Sequence, residues 1–368
     1  MSILRTSLQD AFQLWEYIKV FAKVFPRSVG FSTFSFVSGR NAKIASIVKA
    51  IQSFDFNIGL VSNREVSDNI IEVAAEAKKT LGVYPISFSW PGSWLETANR
   101  PRPYKVATII PGNKYEYDVE DDYYFQYQES AAAITFKKAG WDCFRHLEII
   151  SNGALPLMPD IDSVPRFTMI HYPKEMMSEA LKSMLRGTDI SWLTTSYLKQ
   201  LLSSESMASY ILNLASYRGG DVLFIDNETS YLRPDYLSSM TYIGLARLLG
   251  DKLIVSHRLS YLYDDFDGDT GEMYGRGFGY TRQLLEDQAN QVWDGLDSCK
   301  DWRGQWKPQI VVFGRISQHR DLLSDLLQRW PSSATQYVFL RGSDFPPSRS
   351  DLSKLRALPG PVFSRELY

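Results

Sequence analysis

Residues 221–256 read DVLFIDNETSYLRPDYLSSMTYIGLARLLGDKLIVS. The short apolar runs at the two ends of this stretch, 221–226 and 251–256, are typical of buried β-strands. The segment between them has the length of a helix, and apolar residues recur through it. Two strands joined by a helix predict neighbouring parallel strands with a crossover helix. This stretch therefore predicts an α/β fold built on a parallel sheet.

The same alternation of strand-like and helix-like segments extends through most of the chain. Further strand-like runs lie at residues 28–37, 57–62, 84–90, 105–111, 131–138, 308–314 and 336–342. A polar, helical stretch at residues 176–206 predicts a connection between two units. The length of 368 residues also exceeds that of one ordinary core. We therefore expect two Rossmann-like domains, at residues 1–185 and 186–368, that face a central cleft.

Composition narrows the class of protein. Hydrophobic residues make up 44% and charged residues 22% of the chain, as in folded globular proteins. The formal net charge of -2 lacks the basic excess that would neutralise a phosphate backbone, so we expect no nucleic-acid partner. Cys143 and Cys299 are the only cysteines, which excludes a disulfide framework or a cysteine-based zinc site. A reducing cytoplasm is the natural compartment.

Several common sequence signals are absent. No Gly-x-Gly-x-x-Gly or Walker A motif follows a predicted strand, which argues against dinucleotide oxidoreductases and P-loop phosphotransferases. No apolar run is long enough to span a membrane, and the N-terminus lacks a cleavable signal pattern. Residues 8–25 have the pattern of an amphipathic helix, for which packing against a domain is favoured over peripheral contact with the inner membrane face.

Residues 137–160, KKAGWDCFRHLEIISNGALPLMPD, gather several polar groups on one predicted helix. The helix is expected to end at Gly153, because glycine accepts the left-handed conformation of a C-cap. Arg145 and Glu148 are three residues apart and share a face, and His146 lies between them. A cation, an imidazole and a carboxylate therefore come together, although an ordinary exposed ion pair is the alternative.

The part of this segment at residues 144–160, FRHLEIISNGALPLMPD, resembles the donor-side segment of GT-B glycosyltransferases. In that family a Glu-bearing helix precedes a glycine turn, a proline and a strand. The resemblance implies that Glu148 contacts the ribose or the sugar of a nucleotide-sugar donor. It also implies that Arg145, with Lys137 or Lys138, contacts the donor phosphate.

The position of this segment carries a second resemblance. It usually lies in the C-terminal domain of GT-B enzymes, whereas here it precedes residue 185. The reversed order resembles the retaining β-Kdo transferases of bacterial surface-polysaccharide assembly, through RHLEI, LFID, SHRLSYLYDD and YGRGFGYT within residues 105–280. This resemblance implies a CMP-Kdo donor and a double displacement. An aspartate attacks the anomeric carbon, CMP leaves, and an acceptor hydroxyl then attacks the adduct.

Asp226 is the preferred catalytic carboxylate, because it ends a predicted buried strand and the C-terminal edge of an open α/β sheet is where ligands bind. Glu148 is the second catalytic candidate. Glu228 and Asp235 are competitors of Asp226, and capping of the next helix is an equal alternative for Asp235. His257 follows the strand-like run at 251–256 and is a candidate acid–base group or phosphate contact, with a purely structural histidine as the alternative.

Two glycine-containing turns complete the candidate site. The turn YGRGFGYT at residues 274–281 combines close backbone approach with anion and ring contacts, and Arg276 is expected to hold the carboxylate of the donor sugar. The turn VFGRISQHRD at residues 312–321 suits an anion, and Arg315 and His319 are candidate contacts, although helix capping is slightly favoured. The predicted donor-binding set is Lys137, Lys138, Arg145, His146, Tyr274, Arg276 and Tyr280.

Together the two resemblances imply a cytoplasmic glycosyltransferase that moves a sugar from a nucleotide donor to a glycan or lipid-linked oligosaccharide acceptor in surface-polysaccharide synthesis. No metal or other cofactor is expected, because GT-B enzymes stabilise the leaving phosphate with side chains and helix dipoles. UDP-, GDP- and dTDP-sugars are the alternative donors. A noncatalytic carbohydrate-binding module is the alternative from another class. Peripheral membrane association, or fusion to other transferase modules, is compatible with this prediction.

Overall fold

The computed structural model describes residues 64–95, 102–109, 117–186, 195–227, 231–288, 290–293 and 306–368. The helices are α1 Arg64–Leu81, α2 Glu120–Gln128, α3 Phe144–Ser151, α4 Lys174–Arg186, α5 Thr195–Leu202, α6 Ser204–Leu214, α7 Tyr236–Leu249, α8 Ile316–His319, α9 Leu322–Arg329 and α10 Arg349–Arg356. The strands are β1 Tyr84–Pro85, β2 Tyr104–Val106, β3 Ser130–Ile134, β4 Leu155–Leu157, β5 Val222–Ile225, β6 Leu253–Val255, β7 Gln291–Val292, β8 Ile310–Phe313, β9 Gln336–Arg341 and β10 Val362–Ser364. The predicted strands at 28–37 and 57–62 and the amphipathic pattern at 8–25 lie outside the described residues.

The larger sheet has seven strands in the order β1-β10-β9-β8-β5-β6-β7, and all of its pairings are parallel. The chain runs outward from β5 through β6 to β7. It then returns to β8 on the other side of β5 and continues outward through β9 to β10. The direction of travel therefore reverses between β5 and β8, which is the point of an open α/β sheet where ligands bind.

Alternate side chains of the central strands point to opposite faces of this sheet. Val222 and Phe224 of β5 pack in one apolar core together with α6 and α7. Leu223 and Ile225 pack in a second core that includes residues of α9. Because both faces are covered, β5 is apolar along its whole length, as the run at 221–226 predicts. The parallel strand–helix–strand unit predicted from residues 221–256 is confirmed as β5, α7 and β6.

A smaller parallel sheet in the order β2-β3-β4 carries α2 and α3 between its strands. This sheet belongs to the predicted domain at residues 1–185. Strand β1 comes from the same part of the chain but pairs with β10, with Tyr84 opposite Phe363. The larger sheet thus takes strands from both sides of residue 185. The α/β class with parallel sheets is compatible with a Rossmann-like fold, and the two-domain division with its cleft stays a prediction.

An alanine at Gly244 is expected to lower the free energy of unfolding by about 1–3 kcal/mol. Gly244 lies in α7 where this helix contacts α6, and a Cβ atom there would lie 2.1 Å from the backbone oxygen of Ser204. The two helices would have to separate. Urea unfolding measures the loss, and Gly271→Ala is the matched control because it lies in an exposed turn near only the Asp269 side chain. Equal stability of the two variants would contradict the close helix contact.

Candidate functional site

Asp226 lies directly after β5, at the switch point of the larger sheet. Its backbone N–H donates to the Ser256 hydroxyl over 3.0 Å, and that hydroxyl donates to the Asp226 backbone oxygen over 2.7 Å. Ser256 follows β6, so this pair of hydrogen bonds ties the C-terminal ends of the two strands together. The Asp226 side chain is buried, with a relative exposure of 4% for the residue. The sequence-based placement of this carboxylate at the sheet edge is confirmed.

The carboxylate of Asp226 is surrounded by hydrogen-bond donors. Arg315 approaches one of its oxygens with Nε at 2.7 Å and Nη2 at 2.6 Å. The imidazole Nε2 of His319 lies 3.3 Å from the same oxygen, and the Ser238 hydroxyl donates to the other oxygen. Burial acts to raise the pKa of Asp226, but the hydrogen bonds from His319, Arg315 and Ser238 outweigh it and lower that pKa. The carboxylate is therefore ionised and held in place.

Gly314 allows β8 to end close to this carboxylate. A Cβ atom at Gly314 would lie 2.3 Å from the Ser238 hydroxyl and 3.0 Å from a carboxylate oxygen of Asp226. The next residues, Arg315 and the short helix α8 with His319, are thereby brought to the edge of β5. Arg315 occupies the N-cap position of α8 without a side-chain capping bond, so the favoured capping interpretation is wrong for this residue. Its side chain and that of His319 bind Asp226 instead.

A cavity of about 690 Å³ opens beside this network, at the C-terminal ends of β8 and β9. Its lining residues are Asp235, Arg315, Ile316, Ser317, Arg320, Leu340, Arg341, Gly342, Ser343, Asp344, Asp351, Lys354, Leu355 and Leu358. Asp235 caps α7, because its side chain accepts the Ser238 backbone N–H over 3.1 Å, so the capping alternative is confirmed. Burial raises the pKa of Asp235, and the nearby Asp226 raises it further. Glu228, the other competitor, lies outside the described residues.

A second cluster lies on α3, all of whose side chains are buried. Glu148 accepts a hydrogen bond of 3.1 Å from the Tyr123 hydroxyl. Burial raises the pKa of Glu148 to about 7, although Arg145 and Tyr123 act in the opposite direction. His146 has both ring nitrogens engaged, with Thr135 Oγ1 and the Trp141 backbone oxygen each at 2.9 Å. Burial lowers the pKa of His146 to about 4, so the ring is neutral, and its contacts favour a structural role over donor binding.

The two predicted lysines differ in their surroundings. Lys137 lies over the rings of Trp141 and Tyr368, with Nζ at 4.8 and 5.8 Å from their centroids. Lys138 is exposed on the loop that leads to α3. Partial burial of its ammonium group lowers the pKa of Lys138, and the positive charge of Arg145 lowers it further. The positive charges of Lys138 and Arg145 are therefore near enough to affect each other, whereas Lys137 is held by aromatic contacts.

The α3 cluster and the sheet edge meet at Tyr236, the first residue of α7. The ring of Tyr236 packs against Phe144, the first residue of α3, at 5.0 Å between centroids, and against Tyr274 at 5.5 Å. Tyr236 directly follows Asp235, which lines the cavity. Segments that the sequence places on opposite sides of residue 185 thus pack against each other.

Buried Arg365 links the loop before α3 to the loop after β9. Its guanidinium donates to the Asp142 backbone oxygen, just before α3, and to the Gly342 backbone oxygen over 3.2 Å in the cavity wall. It also binds the carboxylates of Asp344 and Glu366. The loop that carries Lys138 is therefore fixed to the wall of the cavity.

The turn at residues 274–281 contributes one exposed ring. Tyr274 is 60% exposed, whereas Tyr280 is fully buried and its hydroxyl donates to the Tyr274 backbone oxygen over 2.9 Å. Arg276 has a φ of 57° and forms an ion pair of 2.8 Å with Asp118. The structure therefore favours a packing role for Tyr280 and leaves Tyr274 as the ring available to a ligand. His257 is exposed after β6, and His319 provides the imidazole that contacts Asp226.

Within the described ranges, no three His, Cys, Asp or Glu side chains are grouped so that they could hold a metal ion. None of the described helices is both long enough and apolar enough to cross a membrane.

No protein-family model, curated protein or solved structure matches this chain. The fold and the site define a class, namely an α/β protein with a parallel central sheet and a buried Asp–Arg–His network at its switch point.

Replacing Glu148 by glutamine is expected to flatten the pH dependence of stability. The pKa of Glu148 rises from 4.5 to about 7 on folding, so the native state binds the proton more tightly and stability falls as pH rises through this window. The wild type is expected to lose about 1–3 kcal/mol of stability from this group between pH 5 and pH 8, and the glutamine variant does not have this loss. Urea unfolding at both pH values tests this, with the exposed Glu272→Gln as the control. An unchanged slope for the Glu148 variant would contradict the elevated pKa.

Proposed function

We propose that this protein is a glycosyltransferase that uses a nucleotide-activated sugar and acts on a glycan or lipid-linked acceptor. One observation carries the proposal. The first turn of α3, with its basic neighbours, meets the C-terminal edge of the larger sheet around Tyr236. A transferase needs a donor-phosphate site and polar catalytic groups within reach of each other, and the contact between α3 and the sheet edge supports that arrangement.

The basic pair Lys138 and Arg145 is proposed to hold the donor phosphate. Their charges, together with the start of α3, offset the negative charge that develops on the leaving group. Tyr274, whose ring is exposed, lies near Arg145. Partial burial of its hydroxyl, followed by the charge of Asp344, raises the pKa of Tyr274, and the positive charge of Arg145 acts to lower it. Tyr274 is proposed to stack on the base or sugar of the donor.

Glu148 is proposed to act on a hydroxyl of the donor. With a pKa of about 7 it exchanges a proton readily near neutral pH, which is what a general acid or base requires. Tyr123 engages one of its oxygens and fixes the orientation of the carboxyl group.

Asp226 is proposed to position Arg315 and His319 toward the bound substrates. The double displacement predicted from the β-Kdo resemblance needs a carboxylate whose oxygen can reach the anomeric carbon. Both oxygens of Asp226 already accept hydrogen bonds from side chains, which supports positioning over nucleophilic attack. The CMP-Kdo donor stays a prediction beside UDP-, GDP- and dTDP-sugars.

Thermal unfolding with added nucleotides tests the proposal. CMP, CDP, UDP, GDP and dTDP are each added with and without EDTA, and a nucleotide that binds only the folded protein raises its Tm. We expect a rise with one base, unaffected by EDTA and reduced in Lys138→Gln but not in the exposed control Arg349→Gln. A rise with CMP alone supports a CMP-linked donor. No rise with any nucleotide would reject the transferase and favour a noncatalytic carbohydrate-binding module.

A further inference from the structure

The cavity at the ends of β8 and β9 is distinct from the proposed donor-phosphate position at Lys138 and Arg145, neither of which lines it. Four basic side chains line it: Arg315, Arg320, Arg341 and Lys354. Helix α8 borders it on one side and α10 on the other, and the loop after β9 closes a third side. Its volume of about 690 Å³ is that of a site for a small organic molecule.

Three of the four basic side chains have N–H donors that make no hydrogen bond to a described residue. Arg341 uses Nη1 to donate to the Phe345 backbone oxygen at 2.8 Å and to Ser364 Oγ at 3.3 Å. Its Nε and Nη2 make no hydrogen bond to any described residue. Arg320 and Lys354 are exposed, and within the described ranges neither forms an ion pair or a hydrogen bond through its side chain. Arg315, by contrast, is neutralised by Asp226.

The acidic residues of the cavity are already engaged. Asp344 is paired with Arg365, which lies outside the cavity. Asp351 accepts hydrogen bonds from the backbone N–H and the hydroxyl of Ser348 in the capping box of α10, and the positive charges of Lys354 and Arg341 lower its pKa further, so it stays a carboxylate. Asp235 caps α7, and burial raises its pKa. Asp351 offsets one of the three charges of Arg320, Arg341 and Lys354, so the remaining charge that faces the cavity is positive, although the whole chain carries a net charge of -2.

We propose that this cavity binds a phosphate or pyrophosphate ester, and that this is the anionic group of the acceptor. The assignment of this group to the acceptor rests on the proposed transferase function. Guanidinium groups bind the oxygens of a phosphate as a fork, and Arg341 and Arg320 supply two such groups beside an ammonium. Apolar Leu340, Leu355 and Leu358 line the remaining wall and suit the carbon part of an ester.

Titration calorimetry on the full chain tests the site with pyrophosphate and with glucose 1-phosphate. The key variant is Arg320→Gln/Lys354→Gln, which leaves the Asp226 network intact. The matched control is Lys307→Gln/Arg218→Gln, which removes the same charge at two exposed residues that do not line the cavity. We expect the wild type and the control to bind, and the key variant to bind roughly tenfold more weakly or less. Equal affinity of the key and control variants, or no binding by the wild type, would overturn the proposal.

Two further experiments distinguish a lipid headgroup from a free phosphate ester, and the phosphate site from the proposed transferase function. Sedimentation with phosphatidylcholine vesicles that contain phosphatidic acid tests a lipid headgroup, since only the key variant should lose vesicle binding. If soluble esters bind and vesicles do not, the ligand is a free phosphate ester. A nucleotide-induced rise in Tm should persist in the key variant, because the donor site is separate. If the key variant loses pyrophosphate binding but keeps the nucleotide-induced rise in Tm, the acceptor site is supported. If the wild type binds pyrophosphate but no nucleotide raises its Tm, the transferase function is rejected and the phosphate site is not.

Discussion

Replacing Arg365 by methionine is expected to lower the free energy of unfolding by about 3–5 kcal/mol at pH 7. Arg365 is fully buried, and so are its neighbours Asp142 and Glu366. The Asp142 backbone N–H donates to the Glu366 carboxylate over 3.0 Å, and the Asp142 carboxylate accepts the Phe88 N–H over 2.6 Å. Methionine removes the only positive charge in direct contact with this group among the described residues. The buried carboxyl groups of Asp142 and Glu366 are then either charged without a counterion or protonated, and both states cost stability at pH 7.

The loss at Arg365 should grow with pH. Even with Arg365 present, burial raises the pKa of Asp142 from 3.8 to about 7, so native Asp142 holds its proton more tightly than in the unfolded chain. Stability consequently falls as pH rises from about 4 to about 7, and removal of Arg365 extends that fall upward. Urea unfolding at pH 5 and pH 8 measures both effects, with Arg349→Met as the exposed control. A loss that is equal at the two pH values would contradict the role of the buried carboxyls.

Replacing Asp226 by asparagine is expected to reduce sugar transfer about 100-fold or more and to leave nucleotide binding nearly unchanged. The uncharged amide no longer neutralises Arg315 or holds His319, and misplacement of positioned groups by about 1 Å has effects of this size. The proposed donor-phosphate site at Lys138 and Arg145 is left intact. Steady-state turnover and calorimetric nucleotide affinity give the two readouts.

A second variant separates this role from folding. Arg315→Lys keeps the charge but loses the fork that binds Asp226. We expect it to fold, to bind nucleotide and to lose turnover in kcat more than in KM. Full turnover in either variant would show that the network at the switch point only stabilises the fold.

The sheet was predictable where strands are buried and separated by helices. The runs at 221–226, 251–256, 308–314 and 336–342 contain β5, β6, β8 and β9. The pairing of β1 with β10 was not predictable, because β1 has only two residues and its partner lies more than 270 residues away. Short strands carry no periodicity, and sequence alone does not show which edge they join.

The candidate site was predictable in part. Asp226 could be located because it ends a buried strand. Its partners could not, since β6 and β8 both neighbour β5 and each is followed by a segment with a histidine. Only the topology shows that His319 contacts the carboxylate whereas His257 is exposed. Arg365 gave no signal in the sequence, because its role depends on contacts with Asp142 far away along the chain.

Nucleotide release from sugar donors measures the proposed transfer reaction itself. CMP-Kdo and representative UDP-, GDP- and dTDP-sugars are incubated with the purified chain and a lipid-linked oligosaccharide acceptor, and the released nucleotide is quantified by chromatography. The transferase account predicts acceptor-dependent release from one class of donor, unaffected by EDTA and about 100-fold slower in Asp226→Asn. If the wild-type chain releases nucleotide from every donor no faster than Asp226→Asn does, the proposed transferase function is wrong.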